Sequence, residues 1–84
     1  MTDRIIDEIP TGRRFAVRVS RSNWRGRERV DVRHVYEFTP GDPDTRQPTQ
    51  KGVALSLDLL PRLLAALREI EAEAIRDGTI RRAA

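Results

Sequence analysis

The chain has 84 residues, no cysteine, one histidine and a formal net charge of +3. That length allows one domain, and the composition excludes disulfides, thiolate metal sites and any zinc site needing a second histidine beside His34. No metal or other cofactor is expected, and since a domain this small buries only about 60% of its unfolded surface, oligomerisation is the expected support. No apolar run approaches the roughly 20 residues that span a bilayer, and the start of the chain lacks the apolar core of a signal peptide. A soluble, cytoplasmic protein without a membrane partner is expected.

The charge is unevenly spread. Residues 11–38 hold eight arginines (Arg13, Arg14, Arg18, Arg21, Arg25, Arg27, Arg29 and Arg33) against Glu28, Asp31 and Glu37, a surplus of +5. Residues 1–10 are acidic on balance, and the segments after residue 38 are neutral. A concentrated basic stretch is the footprint of a surface that meets phosphates. The competing reading is a solvated arginine-rich sheet.

Residues 1–13 carry Ile5, Ile6 and Ile9 and then the breaker cluster Pro10-Thr11-Gly12. They are expected to form an N-terminal arm, since termini are loose unless tied down. Residues 14–20 alternate, with Phe15, Val17 and Val19 on one face and Arg14, Ala16, Arg18 and Ser20 on the other, which argues a half-buried strand. Residues 21–28 read as a turn around Ser22-Asn23 and Gly26. Residues 29–38 form the longest expected strand, with Val30, Val32, His34, Tyr36 and Phe38 on one side and Arg29, Asp31, Arg33, Val35 and Glu37 on the other. Phe15 and Phe38 are expected in the core, and His34 is expected to be structural or exposed.

The density of Pro, Gly and Asp after Thr39 predicts a long loop. A short strand before Lys51, limited to a sheet edge by Pro48, and another over residues 53–56 complete four. Ser56 is the expected helix cap, with Asp58 in the first turn and Pro61 as a constraint on the start. The helix runs to Arg76, stopped by Asp77-Gly78, and residues 78–84 form a tail. At about 100° per residue its leucines and isoleucines cover an arc of roughly 140–160°, wider than the stripe of about 100° that one sheet face requires. The excess, in a chain with no second helix, predicts a dimer built on Leu60, Leu63, Leu64, Leu67 and Ile70.

Trp24-Arg25-Gly26-Arg27, Val30-Asp31-Val32-Arg33 and Lys51-Gly52-Val53-Ala54-Leu55, followed by the leucine-rich helix, resemble the C-terminal domain of the transcriptional coactivator positive cofactor four, in its compact bacterial form. The resemblance spans about residues 14–76 and rests on the order and spacing of three short motifs. It implies an α+β fold of Whirly-like type: a curved four-stranded antiparallel sheet followed by one C-terminal helix, β-β-β-β-α, dimerising through the helices. It further implies binding of single-stranded DNA, melted duplex or, in some members, RNA. By position, Trp24 takes the place of a base-stacking aromatic. Arg25 and Arg27 replace lysines flanking the glycine, Arg33 matches a strand arginine, Tyr36 an aromatic, and Lys51 the lysine of a basic pair. Gln50 replaces the other half of that pair, which removes one phosphate contact. The turn before Trp24 is longer by two residues than in the family; Arg18 and Arg21 join the candidate contacts there.

The residue chemistry agrees. Single-strand binders combine a basic track with aromatic faces, each stack contributing about 1–3 kcal/mol, and arginine both grips phosphate and stacks on bases. Trp24 has a competing place folded over its own hairpin, and Tyr36, sharing parity with Val30 and Val32, a competing place in the core. With no thiol, no second histidine and no phosphate-cradling loop, there is no nucleophile–base pair from which to build an enzyme. The expected protein is a nucleoid-associated, sequence-tolerant single-stranded DNA-binding homodimer and transcriptional coactivator or regulator, with transcription or repair machinery as partners. The alternative is an RNA-binding or protein-interaction domain whose arginines only solvate it. An operator reader would need a free recognition helix.

Overall fold

The computed structural model describes residues 4–81. Four strands, β1 (Arg4–Pro10), β2 (Phe15–Trp24), β3 (Arg27–Glu37) and β4 (Arg46–Ser56), form one antiparallel sheet in the order β1-β2-β3-β4. A single turn of 3-10 helix at Leu57–Leu59 leads into α1 (Leu60–Arg76). The expected architecture of four antiparallel strands and one C-terminal helix therefore holds.

The strands themselves are differently drawn. Residues 4–10, expected as an arm, are β1, paired along β2 from Arg4↔Arg21 to Pro10↔Ala16. The register shifts between Ile5 and Asp7, so Ile6 is an inserted residue that breaks the period-two pattern. The two short strands expected around Lys51 are one continuous edge strand, β4. There Arg33 pairs with Gly52 but Val35 with Pro48, so extra residues of β4 bulge between them and again interrupt the alternation. Pro48 is tolerated because β4 has a free edge.

The turn expected over residues 21–28 shrinks to Arg25-Gly26. Both residues have positive φ (53° and 79°), the requirement of a two-residue hairpin turn whose twist matches the strands. Gly26 meets it without cost, and its N–H donates to Asn23 Oδ1 at 3.1 Å. Consequently Trp24 is the last residue of β2, directly opposite Arg27.

At the helix start the expected cap is absent. The Ser56 hydroxyl donates to Asp58 Oδ1 instead of accepting from a backbone N–H, and the helix begins later, with Pro61 in its first turn. The stop is as read: Asp77 N–H donates to Glu73 O at 2.9 Å, and Gly78 adopts φ 82°.

Register divides the sheet into two faces. Ala16, Arg18, Ser20, Ser22 and Trp24 of β2 lie with Arg27, Arg29, Asp31, Arg33, Val35 and Glu37 of β3. Phe15, Val17, Val19 and Arg21 lie with Val30, Val32, His34 and Tyr36 on the other face, continued by Val53 and Leu55 of β4. The best-buried side chains, Ala16 and Val35 at 0% exposure, belong to the arginine-bearing face. On the apolar face Phe15 and Val53 stay exposed, as does Phe38 beyond β3, and no residue of α1 is buried. Phe15 meets His34 with ring centroids 5.4 Å apart. The expected core positions of Phe15 and Phe38 are thus corrected, because within one chain α1 does not cover this face.

Candidate nucleic-acid interface

The arginine face has three zones, each set by what its cations are bonded to. At the hairpin corner stands Trp24, 49% exposed. The Arg25 guanidinium lies 4.6 Å from its ring centroid and that of Arg29 5.7 Å, both within cation–π range. Trp24, Arg27, Arg29 and Ser56 line a shallow recess here. Arg29 donates to Ala54 O at 3.4 Å; Arg25 and Arg27 have no ion-pair partner among the described residues. This corner therefore carries uncompensated positive charge beside an aromatic ring.

The middle zone is a hollow of about 320 Å³ lined by Ile5, Arg18, Ser20, Ser22, Asp31, Arg33 and Pro48. Arg33 forks onto both Asp31 oxygens at 3.0 and 3.2 Å and donates to Thr49 O at 3.2 Å. The hydrogen bond from Arg33 to Asp31 raises the guanidinium pKa further above its ordinary value. The pair is electrically closed.

The third zone is an ion-pair lattice. Arg46, opening β4, reaches Glu8 on β1 at 2.9 Å and Glu37 on β3 at 3.6 Å, while Arg18 meets Glu8 at 2.6 Å. Since β2 and β3 separate β4 from β1, the Arg46 side chain must lie across them, on the face where Ala16 and Val35 are buried. Ala16 leaves room for it. Glu37, 4% exposed, also accepts from Gly41 N–H at 2.9 Å.

Desolvation pushes the Glu8 carboxyl up, but hydrogen bonds from Arg46 and Arg18 and the attraction of both guanidiniums outweigh it and hold the pKa below the ordinary glutamate value. A depressed carboxylate contributes stability that is complete above its unfolded pKa of about 4.3 and fades as pH falls through the lower folded value. Thermal melts of native protein and Glu8→Gln should therefore differ most at neutral pH and converge as pH falls through the lowered folded value. A gap that persists undiminished into acid would assign Glu8 a role other than its charge.

The candidate contacts separate accordingly. Arg18, Trp24, Arg27 and Arg33 share the arginine face, with Arg25 at its corner. Arg21 and Tyr36 lie on the opposite face: Arg21 is opposite Val30 and bonded to Glu28 at 3.2 Å, and Tyr36 is opposite Phe15. Odd spacing from Trp24 on β2 and from Arg33 on β3 puts them there. Lys51 is exposed in the irregular part of β4, its N–H held by Thr49 Oγ1 at 3.1 Å. Sequence reading omitted Arg29, although it shares parity with Arg27 and Arg33, and it omitted Arg46, whose reach across the sheet has no signal in the sequence. Leu60 and Leu63 are half-buried, whereas Leu64, Leu67 and Ile70 are exposed.

A four-stranded meander with a C-terminal helix, one sheet face lined by arginines around an exposed tryptophan, defines a small β-sheet domain suited to an anionic polymer with flat rings. Residues 14–66 match the family described as Transcriptional Coactivator p15 (PC4), and the chain belongs to that family. It is similar to a PC4 homolog from Burkholderia pseudomallei K96243, BPSL1147. In the tetragonal crystal form of that protein the identity is 27% and the TM-score 0.72, over 83% of this chain and 98% of the other. The orthorhombic form of the same protein gives a TM-score of 0.71. The fold is shared with a bacteriophage T5 homolog of the eukaryotic coactivator, described as implicated in recombination-dependent DNA replication. That likeness has 21% identity and a TM-score of 0.64, over 94% of this chain and 90% of the other. No curated protein matches the chain significantly. No helix among the described residues is long and apolar enough to cross a membrane.

Proposed function

We propose that this protein binds single-stranded DNA on the arginine face of its sheet, as a homodimer, in the manner of a transcriptional regulator or a recombination factor. The observation that carries the reading is the hairpin corner, where Trp24 stands exposed among Arg25, Arg27 and Arg29. Bases of any sequence have a flat face to offer Trp24, and the arginines meet the phosphates on either side. A base that stacks on the face covered by a guanidinium displaces it from the ring, which frees it for phosphate. Membership of the PC4 family supports the reading. Arg18 and Arg33 serve as framework on this view, since carboxylates already hold them, and Lys51 supplies a further free cation at the β4 edge. Arg21 and Tyr36 fall outside the DNA track.

Trp24 is the only tryptophan, so its fluorescence reports the site alone. Oligo-dT should quench it at low salt, and Trp24→Ala should weaken binding by about 1–3 kcal/mol with little change in melting temperature. Replacing Arg25, Arg27 or Lys51 by alanine should each lower the salt slope by about 0.7. Fluorescence indifferent to oligo-dT at low salt would refute the single-strand reading.

The dimer is supported by apolar surface that one chain leaves open. Leu64, Leu67 and Ile70 are exposed on α1, and Val53 and Phe15 on the sheet, large apolar side chains of the kind that clusters at protein–protein contacts. Leu67→Glu should give monomeric or unfolded protein in sedimentation. A native sample that sediments as a folded monomer would overturn the dimer.

A further inference from the structure

The hollow in the middle of the arginine face is built unlike a phosphate site. Its two arginines are already paired, Arg18 with Glu8 at 2.6 Å and Arg33 with Asp31 at 3.0 Å. A carboxylate, Asp31, stands in its lining, and Ile5 and Pro48 supply apolar walls. A phosphate would meet no uncompensated cation and would face a negative charge. A nucleobase suits it better: its faces pack on Ile5 and Pro48, and its polar edge meets Ser20, Ser22 and Asp31.

These polar groups are not equivalent in what they accept. The serine hydroxyls donate or accept as required and so do not discriminate. The Asp31 carboxylate only accepts. It offers about four lone-pair positions, of which the Arg33 fork takes one on each oxygen, leaving one on each. Cytosine, adenine and guanine each present an exocyclic amino group to such an acceptor. Thymine instead presents carbonyl oxygens on either side of its single N–H, and these repel a carboxylate.

We propose that the hollow is a base subsite and that Asp31 makes it select bases bearing an exocyclic amino group against thymine. This rests on the single-strand reading above and adds a sequence preference to it. Arg33 is a positioning residue: its fork fixes the carboxylate plane, and its bond to Thr49 O ties that plane to β4.

The test is fluorescence anisotropy of labelled oligo-dC and oligo-dT of equal length, at one salt concentration, with the native protein. Oligo-dC should bind about tenfold more tightly. An oligomer carrying 2-pyrimidinone in place of cytosine, which lacks only the amino group, should bind like oligo-dT. This arm needs no variant protein. Asp31→Asn should bring oligo-dC and oligo-dT together, because an amide both accepts from cytosine and donates to thymine. Equal, tight binding of the two oligomers by native protein would overturn the subsite while leaving the single-strand reading intact. Asp31→Asn strengthening both by the same factor, with the preference kept, would reduce Asp31 to a counter-charge and overturn it too. Failure of both oligomers to bind at low salt would remove the single-strand reading and the subsite together.

Discussion

Arg46→Met is expected to destabilise the protein by about 3–5 kcal/mol, the cost of removing one partner from a buried ion pair. Arg46 lies across β2 and β3 between Glu8 and Glu37. Without it the Glu37 carboxyl, 4% exposed, keeps only the Gly41 N–H. Small domains have stabilities at the low end of about 5–15 kcal/mol, so this is most of the total. At about 4–8 °C per kcal/mol, the melting temperature should fall by more than about 12 °C. The double variant Arg46→Met/Glu37→Gln should recover much of the loss, because the isolated charge is gone. Arg46 Nε is buried without a hydrogen-bond partner, so the native pair is itself incompletely satisfied and leaves room for that recovery. A single variant that melts within a few degrees of native protein would show that Arg46 does not bridge the sheet.

Gly52→Ala should cost about 1–3 kcal/mol or more through overpacking. A Cβ at this position would stand against Val32 O and 2.8 Å from Arg33 Cα on the neighbouring strand. Both are backbone atoms, which no rotamer change can move aside, so β3 and β4 would have to part. The separation would fall where Arg33 pairs with Gly52, beside the Asp31–Arg33 fork. Lys51→Ala should instead leave the melting temperature nearly unchanged and weaken DNA binding. Matched thermal melts and oligo-dT titrations of the two variants separate these effects. A Gly52→Ala protein with native stability would mean that the strands are not this close.

The Lys51-Gly52 pair thus combines two jobs, one exposed cation and one close backbone approach. The residue pattern points only to the first. A glycine flanked by a lysine and an apolar run reads equally as turn or strand, and only the distance to Val32 and Arg33 decides. β1 and β4 were misread for a related reason. Their inserted residues, Ile6 and those between Pro48 and Gly52, cancel the alternation by which strands are recognised. β2, β3 and α1, whose periodicity is uninterrupted over most of their length, were legible. The tight Arg25-Gly26 turn was not, because a non-glycine residue at positive φ is an uncommon choice there.

By itself the sequence determined the class: one cysteine-free domain, antiparallel strands then a single amphipathic helix, and a basic segment carrying the only tryptophan. Those follow from composition and from local periodicity, which each residue's near neighbours decide. The tertiary structure decided which cations are available. Arg18, Arg33 and Arg46 look no different in sequence from Arg25 and Arg27, yet Glu8 on β1 holds Arg18 and Arg46, and Asp31, two residues back on the same strand, holds Arg33. It also decided which face is sealed. Period two placed the apolar residues together, but the deepest burial falls on Ala16 and Val35, on the face crossed by a side chain from the far edge of the sheet. The pairing of Glu8 with Arg18 and Arg46, and the coverage of that face, join residues up to 38 positions apart, and no local pattern records them.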